Sequence, residues 1–188
     1  MVSKLISELQ KLSEEEINEL RRQFSETPDF SLTPRTTYEW NGEKHRLLDV
    51  FSDHLEETLQ YINDEKIDMI SVSPYYGYKS KNIDFILDIK GLKGIIVFMM
   101  ENCDLSAISK CTSLEYVFVG DVSQKLKLDL STLPNLCELR LDLFPGIQMP
   151  SSESGKNLRL LGFSRYRGKT FDSITGLFYF IVLLPKSL

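Results

Sequence analysis

Two histidines, three cysteines and a scatter of carboxylates are the residues of this chain whose types could do chemistry. His54 stands beside Asp53, Glu56 and Glu57, with Asp49 close by in sequence. Such a neighbourhood could tune a general base or hold a metal ion. The same charge pattern is ordinary on the solvated side of an amphipathic helix, and that is our reading. His45 follows Glu43 and Lys44 in a candidate hairpin and is expected to be exposed. A serine or cysteine nucleophile would have to recruit one of these two histidines. Cys103, Cys111 and Cys137 form an odd set without a C-x-x-C, so neither a disulfide framework nor a zinc site is signalled. No G-x-x-x-x-G-K-[ST], G-x-G-x-x-G or G-x-S-x-G occurs, so no nucleotide cofactor and no hydrolase elbow are expected.

Arg159, Arg165, Tyr166, Arg167 and Lys169 make one stretch locally basic, a composition that could touch RNA or an acidic protein. We read it as a solvated edge, because 22 basic against 27 acidic residues leave the chain at net −5. That balance argues against nucleic acid or an anionic membrane as the main partner. The loop Pro74–Lys81 is rich in tyrosine and lysine and suits protein contacts. The N-terminus carries glutamates where a secretory signal needs an unbroken apolar stretch, and a cytoplasmic location is expected. The apolar run Leu177–Leu184 is far short of the roughly 20 residues of a membrane span and reads as a buried strand. As a terminal strand without a polar cap, it could also pair two copies into a homodimer.

The elements that would position these residues recur. The pattern L-x-x-L-x-L, with Leu, Ile, Val or Phe at its fixed places, falls at Leu92/Ile95/Val97, Leu114/Val117/Val119, Leu136/Leu139/Leu141 and Leu158/Leu161/Phe163, each copy 22 residues after the last. Looser copies flank them at Ile67/Ile70/Val72 and Leu177/Phe180/Val182. A second apolar set keeps step, six and three residues before the first leucine: Ile86/Ile89, Ile108/Cys111, Leu130/Leu133 and, before the last copy, Phe171/Ile174. Only the copy at Leu158 lacks it, where the polar stretch SSESGKN reads as a surface loop.

Residues 1–65 differ in texture. Ser13 and Glu16 form a capping box for a helix through Ile17, Leu20 and Phe24. Asn41-Gly42 after Tyr38-Glu39-Trp40 predicts a tight type I′ hairpin. Leu48, Phe51, Leu55, Leu59 and Ile62 recur at steps of three or four, which predicts a second amphipathic helix covering the first repeat.

These repeats resemble the leucine-rich-repeat family over residues 67–183. The resemblance implies an α/β solenoid of about five to six repeats behind an N-terminal helical cap, with 1–65 as the cap and hairpin and 66–188 as the repeat stack. The family's turn asparagine or cysteine is replaced by Met100, Val122, Phe144 and Tyr166, so its asparagine ladder is absent and irregular turns are expected.

In that family the residues between the fixed strand apolars point out of the concave face. Here that rule exposes Ile96, Phe98, Tyr116 and Phe118 as an apolar patch, with Glu138, Arg140 and Asp142 as a charged rim. The expected function is non-enzymatic: a protein-interaction module binding a partner through this face. Small size and negative charge suggest an immunity or antitoxin-type inhibitor of a basic toxin. An adaptor or effector scaffold, an enzyme using the His54 helix, and an RNA contact through Arg165–Lys169 are the alternatives.

Overall fold

The computed structural model describes residues 30–100, 102–120, 128–142, 147–148, 156–164 and 180–182. The helix expected over Ser13–Phe24 lies outside them. One sheet organises the described chain, in the order β1 (Thr36–Trp40), β2 (Glu43–Asp49), β3 (Met69–Val72), β4 (Gly94–Phe98), β5 (Tyr116–Gly120), β7 (Glu138–Asp142), β9 (Leu160–Ser164) and β10 (Phe180–Val182). β1 is antiparallel to β2, and from β2 onward every neighbour is parallel. The short strands β6 (Leu128–Asp129) and β8 (Ile147–Gln148) pair separately.

The 22-residue spacing sets the register of this sheet. Leu48, Ile70, Ile95, Val117, Leu139, Leu161 and Phe180 pair in turn across seven strands. The first six of these are fully buried on one face. From Ile95 to Leu161 equal spacing does this, because equal repeat lengths bring each copy back to the same height on its neighbour, while the steps of 25 residues into Ile95 and 19 into Phe180 keep the register with returns of other lengths. The backbone repeats the pattern between strands: the carbonyls of Asp68, Lys93, Glu115 and Cys137 each accept from the two successive amides that open the next strand. Side chains bridge the same turns. Ser113 Oγ donates to the Leu92 carbonyl at 2.6 Å, Asn135 Nδ2 to Thr112 at 2.9 Å and Asn157 Nδ2 to Pro134 at 2.8 Å. A short polar ladder therefore exists on the turns before β5, β7 and β9, and not at the Met100 position.

The buried row is covered by α1 (Leu55–Asp64), through Ile62 with Leu55 and Leu59, and by short 3-10 turns at Asp84–Asp88 and Ser106–Lys110. The turns bury Ile83/Ile86/Ile89 and Leu105/Ile108/Cys111. Three-residue steps align on one side of a 3-10 turn, which has three residues per turn, and drift around an α-helix.

A leucine-rich-repeat solenoid with a helical cap is therefore not what the chain builds. It folds as a mixed sheet curled into a half-barrel, with α1 its only α-helix among the described residues. Two causes act together. The returns carry a three-residue apolar period and so make 3-10 turns. The N-terminal hairpin adds its strands to the sheet: β2 pairs with β3, and Leu48, expected on the second helix, lies in β2. The helix begins only at Leu55, after a 3-10 turn at Ser52–His54.

Candidate functional site

Side chains alternate across a strand, so the second face of the sheet carries two rows. One runs Leu47, Met69, Gly94, Tyr116, Glu138 and Leu160, and the next runs Asp49, Ser71, Ile96, Phe118, Arg140 and Gly162.

The hairpin closes over the first row. Asn41 and Gly42 take φ of 53° and 77°, as the two central positions of a type I′ turn require. Trp40 beside them packs onto Leu47, Met69, Tyr116 and Cys137. Its ring is stacked on Tyr116 at 5.3 Å on one contact and on His45 at 3.4 Å on another. Gly94 makes room: a Cβ there would stand 2.9 Å from Met69 Cγ and 3.0 Å from Trp40 Cη2. Polar contacts fasten the hairpin's end. Trp40 Nε1 donates to Glu115 Oε2 at 3.1 Å, Arg159 Nη1 to Asn41 Oδ1 at 2.7 Å and Lys93 Nζ to Glu43 Oε2 at 2.7 Å.

The second row stays open. Beyond the hairpin's cover lies a hollow of about 240 Å³ lined by Arg35, Tyr38, Ser71, Tyr76, Ile96, Phe98, Tyr116, Phe118 and Arg140. Five of these, Ile96, Phe98, Tyr116, Phe118 and Arg140, are residues for which alternation predicts a binding face. Exposure among them is graded. Phe98 is 39% exposed, Ile96 and Phe118 are half-buried, and Tyr116 is buried at 3% beneath the hairpin, so the expected patch is smaller and deeper than alternation alone implies. Phe98 and Phe118 face each other with centroids 6.4 Å apart, and Met99 is exposed next to them. Glu138 is not in the lining and ion-pairs with Arg140 at 3.6 Å. Asp142 is placed by its backbone, opposite Ser164.

The lining carries two guanidinium groups and no carboxylate. Arg35 is held from outside the hollow. Its Nε donates to Asp49 Oδ1 and Oδ2 at 3.3 and 2.9 Å, and its Cζ sits 4.5 Å over the Tyr76 ring. Arg140 Cζ lies 5.8 Å over the Tyr116 ring, and its guanidinium makes no hydrogen bond among the described residues. Burial pushes the Asp49 carboxyl up from its ordinary value against the pull of Arg35 and the neighbouring Ser71 hydroxyl. Burial also pushes the Tyr116 phenol up to about 12. Ser71 Oγ, fully buried in the lining, has no partner at hydrogen-bonding geometry.

Sequence reasoning does not place Arg35, Tyr38, Ser71 or Tyr76 on this face, although Tyr76 lies in the loop Pro74–Lys81 that it singles out for protein contacts. Ser71 has a signal, since it occupies in the looser copy Ile67/Ile70/Val72 the place that Ile96 and Phe118 occupy in theirs. The other three come from the hairpin and the turn after β3, and no periodicity places them here.

The candidate chemistry goes elsewhere. His45 is not exposed but buried at 1%, with Nδ1 2.7 Å from Asp68 Oδ2, its face on Trp40 and Nε2 unpartnered. His54 is half-exposed, 3.6 Å from Glu57 and stacked on Phe30 at 4.0 Å, while Asp49 pairs with Arg35. No group of three or more potential ligands that could hold a metal occurs among the described residues. The cluster Arg165–Lys169 lies outside them. No helix among them is long and apolar enough to cross a membrane. Comparison of the chain with family models, with curated proteins and with solved structures finds no match.

Proposed function

We propose that this protein acts by recognition, holding a partner protein against the open face of its sheet. The observation that carries this reading is the hollow itself. Half-exposed aromatic and aliphatic groups, Ile96, Phe98 and Phe118, are held by the sheet between two arginines. Aromatic and arginine side chains at a concave site are the groups that dominate protein interfaces. They stand on paired strands, so little ordering entropy opposes contact.

Tied-up chemistry supports the same reading. His45 is walled in by Trp40 and Asp68, and the thiols of Cys103, Cys111 and Cys137 are buried with their pKa values raised by that burial. A thiol so placed is a poor nucleophile. An inhibitor of a basic toxin, the narrower reading suggested by net charge, needs an acidic contact face, whereas this lining is cationic. We therefore keep the general reading of a partner chain.

Affinity capture from the producing cells tests it, with wild type, Phe118→Asp and Arg140→Glu as baits and Lys110→Glu, exposed at the end of a 3-10 turn packed on the other face, as control. A protein recovered with wild type and the control, and lost with both face variants, is the expected result. Equal recovery with all four baits would overturn the reading.

A further inference from the structure

We infer that the hollow takes the carboxy-terminal residue of its partner, with an apolar side chain on Ile96, Phe98 and Phe118 and the terminal carboxylate on the lining guanidinium groups. This rests on the partner-binding reading above and goes beyond it by naming the chemistry of the guest.

Size comes first. At about 240 Å³ the hollow is smaller than the ~300–1,000 Å³ of ordinary small-molecule pockets. A guest the size of one large residue fills it, while an interface helix or a nucleotide does not enter. Charge comes second. The two groups in the lining that carry charge are both cationic, and their carboxylate partners, Asp49 and Glu138, stand outside it. Each arginine already has one carboxylate, so a guest anion shares these guanidinium groups with Asp49 and Glu138 and takes the donors they leave, although the chain as a whole is acidic. Charges elsewhere on the chain are screened beyond about 8–10 Å at ordinary salt, so these two ion pairs set the local balance.

The third observation is Ser71, a buried lining residue whose hydroxyl lies near the Asp49 carboxylate without a hydrogen bond of ordinary geometry. A buried hydroxyl without a partner is destabilising until something supplies one. A chain end does so, since its carboxylate and last carbonyl both accept hydrogen bonds. Apolar groups beside cationic donors are what a terminal carboxylate on an apolar residue needs, and a neutral apolar side chain would leave both arginines and Ser71 unused.

The two arginines are not equivalent. Arg35 is already committed to Asp49 through Nε, whereas the Arg140 guanidinium makes no hydrogen bond among the described residues and has only a 3.6 Å ion pair with Glu138 to give up. Arg140 is therefore the main carboxylate ligand and Arg35 the lesser.

Calorimetric titration of the full chain with acetyl-Gly-Gly-Phe tests the inference. The comparison probes are the same peptide as its carboxamide, acetyl-Gly-Phe-Glu-Gly-amide, and phenylacetate. The free-carboxylate peptide is expected to bind at least about tenfold more tightly than its amide, the scale of one charge-assisted hydrogen bond. Arg140→Gln should erase that preference, Arg35→Gln should reduce it less, and both variants should keep the wild-type circular dichroism because both side chains are well exposed. Equal binding of acid and amide would overturn the carboxylate assignment. Tighter binding of the internal glutamate peptide would replace a chain end by an acidic segment, and phenylacetate matching the peptide would make this a small-molecule site; either result overturns the inference. Failure of all probes, with partner capture still dependent on Phe118, would overturn the inference and leave the partner-binding reading standing. Carboxylate-selective peptide binding with capture indifferent to Phe118→Asp would overturn the partner-binding reading and, with it, the assignment of the guest as a partner's chain end, leaving only a carboxylate site.

Discussion

The imidazole of His45 lies flat against the indole of Trp40, with ring centroids 3.4 Å apart and planes 10° from parallel. This contact sets the hairpin's angle over the sheet. His45 is anchored from below by Asp68, at the end of the loop entering β3, and Trp40 reaches across to Glu115 before β5. One stacked pair thus ties the antiparallel edge of the sheet to its parallel centre, and leaves Ile96 and Phe118 in the next row only half-buried. Trp40 is the only tryptophan, so its emission reports on this contact.

His45→Ala should remove the support under Trp40 and leave a void. A loss of about 2–4 kcal/mol is expected from the range for truncating large buried side chains, together with a red shift of the native emission. Urea unfolding followed by fluorescence and by circular dichroism measures both. Stability within about 0.5 kcal/mol of wild type would show that the stack does not hold the hairpin.

Gly94→Ala tests the same packing from the sheet side. The added methyl meets Met69 and Trp40 at sub-contact distance, and overpacking of this sort costs about 1–3 kcal/mol. The indole must lift, so the emission again shifts red. Gly162→Ala, where the nearest atom is 3.5 Å away on the Arg140 side chain, should be tolerated.

Asp49 governs a pH dependence. Burial raises its folded-state pKa above the ordinary 3.8 despite Arg35, so the folded state holds the proton more tightly than the unfolded state does. Its contribution to stability therefore falls as pH rises from about 3.8 through the raised folded value, and is constant above that. Plotted against pH, the stability of wild type minus that of Asp49→Asn should decline across this window and then level. A difference that climbs with pH instead would show that Arg35 outweighs burial at this site.

The three thiols should be slow to react. Burial pushes Cys103 up to about 11 and raises Cys111 and Cys137 as well, so little thiolate exists at pH 8 and what exists is shielded. Labelling with a disulfide reagent should proceed only as fast as the protein opens, and denaturant should release all three cysteines at once. A thiol that reacts within seconds in the native protein would contradict its buried placement.

The sequence by itself determined which residues share a height on the sheet. The 22-residue spacing became the row Ile95, Val117, Leu139 and Leu161, which Leu48 and Ile70 extend only in the folded sheet, and alternation alone puts Ile96 and Phe118 on the opposite face. Asn41-Gly42 likewise named its own turn, since only that conformation reverses the chain in two residues with φ positive at both. These features are local: they depend on chain length and on the period of neighbouring side chains. The three-residue step Ile86/Ile89, with Ile83 before it, fits the 3-10 return seen there. The resemblance to helical repeats led away from it.

Only the tertiary structure decided what covers each face. Tyr116 and Phe118 are two residues apart on one strand and obey the same alternation, yet Tyr116 is buried and Phe118 borders a hollow, because a hairpin some 75 residues earlier in the chain places Trp40 over the first and stops short of the second. The same docking buries His45 and carries Arg35 and Tyr38 to the rim. Burial by a remote segment depends on the angle and length of that segment, and no period within the strand encodes either.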